Sequence, residues 1–459
     1  MNKIEINRTK VIYNWWIYIV FAIQVLFSVG LIFNNNLWFD EAFTLSLIQH
    51  DFPQMIEIIK TDMHPPLYFI SLKAFCMLFG YSIPVTKLFS VIGYIATLSL
   101  GITIIRRNFS AEIAVFYMVV IGAIPMSLYF SVQQRSYQWC VFFVTLCFIE
   151  TLLFLKNPKK LHGIIIVVAG LAAAYNHFYA LLAIGIVLCF LNFYVIIKMR
   201  EQIITVIIVD VCMVAGYLPW LLVLYHQVSD ASNNFWLKGV EPLCVIVFIS
   251  GVIISVLILL NKENRKLPHL FAISSVLSIQ FIGLMVTIFI RPFYIARYSV
   301  VTLGIFAFLI AISIQNIKKQ SRKIAFILLC IIGIFTFIGT AVFEYNPSMS
   351  DSFERLNQKL SAEDTFLYCD SSFGIMSYYY PHNEHICTYS QSWFEAFDNL
   401  ECIDKRQINK KLSFDNKVWF VKNEMTKIPD YINSNYILEK FDDFQCDFNH
   451  FQVYSLSNK

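Results

Sequence analysis

Long apolar runs alternate with short polar connections along the first three quarters of the chain. A helix needs about 20 apolar residues to cross a bilayer. The runs that reach or approach this length cover residues 13–33, 84–105, 111–130, 137–155, 162–178, 179–197, 203–224, 240–260, 268–290, 295–315 and 323–343. The pattern predicts about eleven transmembrane helices. The run 65–79 is shorter, contains Lys73 and opens with two prolines, so we expect an interfacial helix there.

The pattern changes after residue 344, where short strand-like runs are separated by polar segments. These runs are "DTFLYCD", "HICTYS", "KVWFVKN" and "FNHFQVYSLS", and "SDSFERLNQKLS" before them is typical of a helix. We therefore expect two domains. An all-α transmembrane domain covers 1–343, with a first outer loop at 34–83, and a small extracytoplasmic α/β domain covers 344–459.

Composition supports a membrane protein. Hydrophobic residues make up 58% of the 459 residues and charged residues only 14%, against about 45–50% and about 25% in soluble proteins. No small-residue cleavage pattern follows the first apolar run, so we expect it to remain as a helix. The 11 cysteines lack metal-site spacing, which argues against zinc. Disulfide pairing within the polar tail stays open.

Basic residues indicate the orientation in the membrane. Lys and Arg concentrate in alternate connections, around 3–10, 106–107, 156–160, 198–200, 262–266 and 318–323. Cytoplasmic loops carry such an excess. We expect a multi-pass protein of the cell membrane with a cytoplasmic N-terminus, and with the first loop and the C-terminal domain on the outer face.

The outer connections also hold most of the other polar groups, whereas a solute carrier would place them near the middle of its helices. Asp40 and Glu41 stand in "LWFDEAF" on the first loop. A solvated loop pair is one interpretation. The flanking aromatics Trp38, Phe39 and Phe43 favour another, because they would hold the carboxylates at headgroup depth, where desolvation makes a carboxylate a better base. Both acids are candidate catalytic residues.

Cations and aromatics recur at outer helix ends. His64 precedes two prolines in "DMHPPLYF", where an imidazole beside a helix N-terminus suits a phosphate, although a helix-start cap is also possible. Arg135 in "QQRSYQ" is either a snorkelling side chain or a phosphate clamp. Aromatic belts at the membrane surface account for the tyrosines, but they do not account for cations on the outer side of the membrane. The candidates for binding lipid phosphate or sugar are His64, Arg135, Tyr137, His177, Tyr179, Arg291, Arg297 and Tyr298.

The order of "DEAF", "HPPLYF", "QQRSYQ", "NHFYALL" and "ARYSVVTLG" resembles the GT-C glycosyltransferases, most closely family 39, the protein-mannosyltransferase and aminoarabinose-transferase-like branch. The resemblance covers about 13–315. It implies 11 to 13 helices, a large first outer loop, and a donor sugar linked to polyprenyl phosphate. It also implies a catalytic acid where Asp40 stands and a phosphate contact where His64 stands. Aminoarabinose transferases follow the acidic pair with an arginine, which "DEAFTLS" lacks.

These observations lead to one functional hypothesis. The chain is expected to move a hexose or pentose from a polyprenyl-phosphate donor to a glycan, lipid or protein acceptor on the outer face. Asp40 would act as base in an inverting displacement, without a metal ion or cofactor and without a nucleic-acid partner. The alternatives are a flippase, ligase or carrier for lipid-linked saccharides, and a non-catalytic membrane protein whose tail binds cell-wall polymer.

Overall fold

The computed structural model describes residues 3–234 and 239–459. Its helices are α1 (Lys3–Gly30), α2 (Phe39–Leu47), α3 (Phe52–Thr61), α4 (Leu67–Phe79), α5 (Ile83–Leu100), α6 (Arg106–Asn108), α7 (Ala111–Ala123), α8 (Pro125–Tyr129), α9 (Tyr137–Lys156), α10 (Lys160–Ala174), α11 (Phe178–Lys198), α12 (Ile203–Asn234), α13 (Pro242–Leu260), α14 (Leu267–Phe289), α15 (Leu303–Ile314), α16 (Lys319–Glu344), α17 (Ser348–Asn357), α18 (Phe373–Tyr379), α19 (Ile408–Lys411) and α20 (Asp430–Asn435). The strands are β1 (Thr365–Tyr368), β2 (Glu384–Cys387), β3 (Leu400–Cys402), β4 (Val418–Asn423), β5 (Tyr436–Cys446) and β6 (Asn449–Asn458).

The chain divides into two compact units. The helical unit comprises the chain up to Ile32, Met63–Tyr68 and Val85–Thr340, and the sheet unit comprises Phe33–Asp62, Phe69–Pro84 and Ala341–Lys459. Most of the first connection, which the sequence predicts as the outer loop 34–83, thus forms part of the same unit as the C-terminal residues.

Every predicted span corresponds to a helix, and the chain is a multi-pass membrane protein. Within the described residues, 8 helical segments are long and apolar enough to cross a membrane. They are Ile83–Asn108, Tyr137–Lys156, Phe178–Lys198, Arg200–Ser229, Pro242–Leu260, Leu267–Phe289, Ala296–Gln315 and Lys319–Asn357. The other three predicted spans correspond to shorter apolar helices at Asn14–Gly30, Ala111–Ala123 and Lys160–Ala174. The predicted interfacial run at 65–79 corresponds to α4.

Two of these shorter helices end early for local reasons. Pro125 follows Ile124, whose backbone is extended, so the run 111–130 is divided into α7 and α8. The run 162–178 ends at Ala174 because 175–177 form the turn into α11. A close helix contact explains Gly304, since a Cβ there would overlap the side chain of Thr145 on α9. Gly304 thus lets the start of α15 lie close to α9.

The sheet unit contains one six-stranded sheet in the order β3-β2-β1-β4-β6-β5. The first four strands in this order are parallel, and β5 and β6 form an antiparallel hairpin. Buried apolar side chains on one face, including Leu367, Ile386 and Phe420, form its core. The expected α/β fold of the tail is therefore present. The cysteines of the tail, Cys369, Cys387, Cys402 and Cys446, are free thiols.

Candidate active site

The helix α2 separates the roles of the two adjacent carboxylates. Asp40 and Glu41 lie in its first turn, where the helix dipole favours negative charge. Glu41 is buried, and its Oε2 accepts a hydrogen bond of 3.3 Å from the backbone N–H of Trp38, the N-cap residue. Glu41 thus caps the start of the helix. Asp40 is only half-buried, which leaves it as the better candidate for chemistry.

A lysine completes α2 at its other end. Lys73 is almost fully buried, and its Nζ donates a hydrogen bond of 2.8 Å to the carbonyl oxygen of Ile48, the C-cap residue. A cation at a helix C-terminus complements the negative end of the dipole. The charged residue that marks α4 as unusual in the sequence therefore stabilises the helix that carries Asp40.

In the helical unit, Arg135 and His64 contact each other directly. The Arg135 side chain is 5% exposed, and its Nη2 lies 2.8 Å from Nε2 of His64. Because a guanidinium group has donors only, Nε2 of His64 is the acceptor. The two motifs "HPPLYF" and "QQRSYQ" are 71 positions apart at these residues, yet their polar groups meet.

His177 lies at the centre of this cluster, in the connection between α10 and α11. Its Nδ1 accepts a hydrogen bond of 3.1 Å from the backbone N–H of Tyr179, so the imidazole caps α11. The His177 ring centroid is 5.9 Å from that of His64, 5.8 Å from Tyr137 and 5.2 Å from Tyr298. Burial, together with the positive charges of Arg135 and Arg297, lowers the pKa of His177 well below its usual range. His177 therefore stays neutral amid cationic neighbours.

Tyrosines line the same cluster. Tyr179 is 3% exposed and stacks on Tyr298 with ring centroids 4.6 Å apart. Its hydroxyl group has no hydrogen-bond partner among the described residues. A buried hydroxyl without a partner costs free energy unless a ligand satisfies it. Tyr179 is thus a candidate donor to a bound phosphate or sugar.

The two candidate arginines after α14 have different surroundings. Arg297 lies over the ring of Tyr298 at 5.9 Å and so joins the cluster around His177. The Nη2 of Arg291 instead donates a hydrogen bond of 2.9 Å to the carbonyl oxygen of Val228 on α12. The structure brings together seven of the eight predicted binding residues and leaves Arg291 at a helix end.

Glu241, which the sequence analysis did not single out, holds the segment that bears Arg297. Its Oε2 accepts a hydrogen bond of 2.7 Å from the backbone N–H of Ala296, the first residue of the 3-10 helix Ala296–Thr302. Tyr294, just before, packs on Gly283, where a Cβ would lie 2.7 Å from the ring. The available signal was an acidic residue directly before the proline that opens α13.

Lys87 is a second residue that the sequence analysis missed. It is fully buried in the first turns of α5. Its neighbour Thr86 accepts a hydrogen bond of 3.1 Å from Nε2 of Gln134, which precedes Arg135. Lys87 directly follows Thr86, and Arg135 directly follows Gln134, so each basic residue is next to one member of this hydrogen-bonded pair. A fully buried lysine is rare unless it is paired, and Lys87 adds a further positive charge to this end of the helical unit.

No group of three or more His, Cys, Asp or Glu residues is arranged to hold a metal ion within the described part of the chain. The cluster in the helical unit instead consists of groups that can donate hydrogen bonds, namely two guanidinium groups, imidazoles and phenols. Such groups match the oxygens of a phosphate.

The whole chain is similar in structure to ArnT from Cupriavidus metallidurans. The apo state aligns with a TM-score of 0.68 at 12% identity, covering 96% of this chain and 98% of that one. The structure bound to undecaprenyl phosphate aligns with a TM-score of 0.67 at 12% identity, with the same coverage. No protein-family profile and no curated protein matches the sequence. The likeness shows that the chain has the GT-C fold, which confirms at the level of fold the resemblance carried by its motifs.

Proposed function

We propose that this protein is a membrane glycosyltransferase that uses a sugar linked to polyprenyl phosphate as donor. The observation that carries the proposal is the cluster in the helical unit of buried Arg135 and His177 with half-buried His64 and Tyr298. ArnT, which shares the fold over 96% of this chain, has been solved with undecaprenyl phosphate bound. A cluster of fixed donors in a GT-C fold suits such a lipid phosphate.

The proposed reaction is a single displacement. An acceptor hydroxyl oxygen attacks the anomeric carbon, and its proton passes to the carboxylate of Asp40. The bond between the anomeric carbon and the phosphate oxygen breaks, and the polyprenyl phosphate leaves with the bonding electrons. The configuration at the anomeric carbon inverts. The charge that develops on the departing phosphate is stabilised by Arg135, Arg297 and Lys87, because fixed cations bind the transition state more strongly than the ground state.

The proposal extends to the site of reaction and the substrates. The transfer takes place on the outer face, to a cell-envelope glycan, lipid or protein, and it uses no metal ion or cofactor. Because "DEAFTLS" lacks the arginine of aminoarabinose transferases after the acidic pair, the sugar is expected to be another hexose or pentose.

The test is sugar transfer by the purified protein in vesicles. Radiolabelled sugars on polyprenyl phosphate are supplied with membrane extracts as acceptor, and polyprenyl phosphate release is measured with and without a chelator. Release of the lipid phosphate together with a labelled product supports the proposal. Movement of an intact lipid-linked sugar across the vesicle, without cleavage, would instead identify a flippase or carrier. Transfer of an oligosaccharide from a pyrophosphate lipid would identify a ligase.

A further inference from the structure

The hairpin between β5 and β6 exposes a phenylalanine at its tip. β5 ends at Cys446 and β6 begins at Asn449, so Asp447 and Phe448 form the turn. Asp447 has a φ of 55°. Tight hairpin turns favour Asn, Asp and Gly because of such angles, and nothing in this turn geometry requires an aromatic residue. Phe448 is nevertheless present and 68% exposed.

The hairpin is fixed beside the end of α16. The ring centroid of Phe448 lies 4.8 Å from that of Phe343, in the last turn of α16. The backbone N–H of Gln445 donates a hydrogen bond of 2.8 Å to Oγ of Ser348, and Asn346 Nδ2 donates one of 3.2 Å to Oε1 of Gln445. The base of the hairpin is thus bonded to the residues that follow α16, and its tip contacts the helix end.

The position of Phe343 along α16 places it at a membrane boundary. The apolar stretch between Lys323 and Glu344 is about 20 residues long and rises about 30 Å, the thickness of the hydrocarbon core. Phe335 and Val342 on this helix are 70% and 71% exposed and form part of its apolar surface. Phe448 contacts this helix through Phe343, which follows Val342 in its last turn.

We propose that Phe448 inserts into the lipid leaflet at the C-terminal end of α16. The occupant at this exposed position is lipid, because Phe448 contacts the last turn of α16, a helix whose apolar side chains must face lipid when it spans the membrane. The inserted ring would anchor the sheet of the C-terminal domain at a fixed height above the hydrocarbon core. This inference is independent of the catalytic proposal.

The test replaces single residues with the photoreactive analogue p-benzoylphenylalanine in protein reconstituted into phosphatidylcholine and phosphatidylglycerol vesicles. Position 448 is compared with position 335 as a lipid-facing reference and with position 425 as a control, since Met425 is also apolar and is 91% exposed on the sheet unit. After illumination, mass spectrometry should find lipid adducts at 448 and 335 and several-fold fewer at 425. Adducts at 448 no more frequent than at 425, or adducts to a second copy of the chain, would overturn the proposal.

A different set of contacts carries a second inference, which concerns the residue before Asp40. Phe39 packs among aromatic side chains of the C-terminal residues, with ring centroids 5.8 Å from Phe373, 5.6 Å from Trp393 and 6.4 Å from Phe397. The contact with α18 is close, because a Cβ on Gly374 would lie 2.6 Å from the Phe39 ring. All these partners lie within residues 373–397.

The same segment also contacts the rest of α2 and the turn after it. Phe43, one helical turn after Phe39, has its ring centroid 5.8 Å from that of Trp393. His50 Nε2 lies 3.2 Å from the carbonyl oxygen of Ala396. We infer that residues 373–397 position Asp40 by holding α2, so that the C-terminal domain takes part in catalysis. Phe39 and Gly374 are then positioning residues. This inference rests on the proposed role of Asp40 as base.

Gly374→Ala tests the positioning role. The added methyl group must displace the Phe39 ring, whereas alanine itself favours the helical conformation of α18. Turnover should fall at least several-fold, with an unchanged KM for the donor. Adding Phe39→Leu, which vacates part of the ring volume, should restore turnover. The control is Gly339→Ala in α16, where a Cβ would meet no atom within 4 Å.

The outcomes separate the two proposals. Wild-type turnover in Gly374→Ala, or a loss that Phe39→Leu does not restore, would overturn the positioning role while leaving Asp40 as the base. Full activity of Asp40→Asn would overturn the proposed mechanism itself, whatever the behaviour of Gly374→Ala.

Discussion

At the scale of single residues, the acidic pair gives the sharpest prediction. Asp40→Asn keeps the size of the side chain and removes the base, so sugar transfer should fall about 100-fold or more. Glu41→Gln keeps an oxygen that can accept the hydrogen bond from the backbone of Trp38, so its effect on transfer should be smaller. Single-turnover transfer by purified variants measures both. Equal losses in the two variants would contradict the separation of roles.

The phosphate cluster gives a second prediction. Arg135→Ala should reduce turnover more than it weakens acceptor binding, and Arg135→Lys should restore only part of the activity, because a point charge lacks the guanidinium fork. Arg297→Ala should cost more than Arg291→Ala, since only Arg297 lies near His177. Arg406→Ala is the matched control, because that side chain is exposed and pairs locally with Asp404. The measurement is kcat and KM for donor and acceptor.

Tyr179→Phe separates ligand binding from folding. The hydroxyl group of Tyr179 is buried without a partner among the described residues, so its removal should leave the Tm unchanged or slightly higher. If the hydroxyl group donates to the donor substrate, the Kd for polyprenyl phosphate should rise. A lower Tm with an unchanged Kd would show that the hydroxyl group has a structural role only.

At the scale of elements, β2 carries a pH-dependent contribution to stability. His385 is fully buried, and its ring nitrogens contact the hydroxyl of Tyr368 at 2.7 Å and the carbonyl oxygen of Tyr380 at 2.8 Å. Burial lowers the pKa of His385 from 6.5 to about 4. In this interval the unfolded chain binds a proton that the folded sheet does not. Stability is therefore lost as the pH falls from about 6.5 towards about 4, by about 3 kcal/mol at most.

Thermal unfolding of the whole protein at several pH values measures this contribution. The Tm of the sheet transition should fall with acidification, and His385→Gln should flatten that dependence while lowering the Tm at neutral pH. A pH dependence that persists in His385→Gln would assign it to another group.

The elements also show what a sequence pattern can and cannot establish. The length of the apolar runs alone predicted where the apolar helices lie, because lipid exposure requires an apolar surface. It placed the ends less well: Pro125 divides one predicted span in a way that mean hydropathy does not register. The strand β5 was missed because its charged residues hide the alternation. Those charges suit an edge strand, and β5 is bulged between Lys440 and Asp442 at the edge of the sheet.

In the candidate site, too, some residues could be predicted from the sequence and others could not. His64, Arg135 and His177 were predictable as polar residues at helix ends, and the fold brings them together. Lys87 was not, because a lysine in the first turns of an apolar run resembles an ordinary helix boundary until its full burial is known. The capping role of Glu41 also depends on a backbone geometry that sequence spacing alone does not distinguish from that of Asp40.

At the scale of the whole molecule, the orientation in the membrane is a prediction that one helix can decide. α16 begins among Lys318, Lys319, Arg322 and Lys323 and ends at Glu344. Basic residues stay on the cytoplasmic side, so the start of α16 should face the cytoplasm and its end the outside. Lys319 and Ser350 are both exposed and flank this helix.

Single cysteines at these two positions should therefore react differently with a membrane-impermeant maleimide. Ser350→Cys should be labelled in intact cells, and Lys319→Cys only after the membrane is permeabilised. The background is a cysteine-free variant, because Cys369 and Cys402 of the sheet unit are free thiols and only half-buried in the parent protein. Only α16 crosses the membrane between the two positions, so labelling of both from outside would show that it does not span. If only Lys319→Cys is labelled in intact cells, the orientation is the opposite of the predicted one. The sheet and Asp40, which belong to one compact unit, would then lie on the cytoplasmic side.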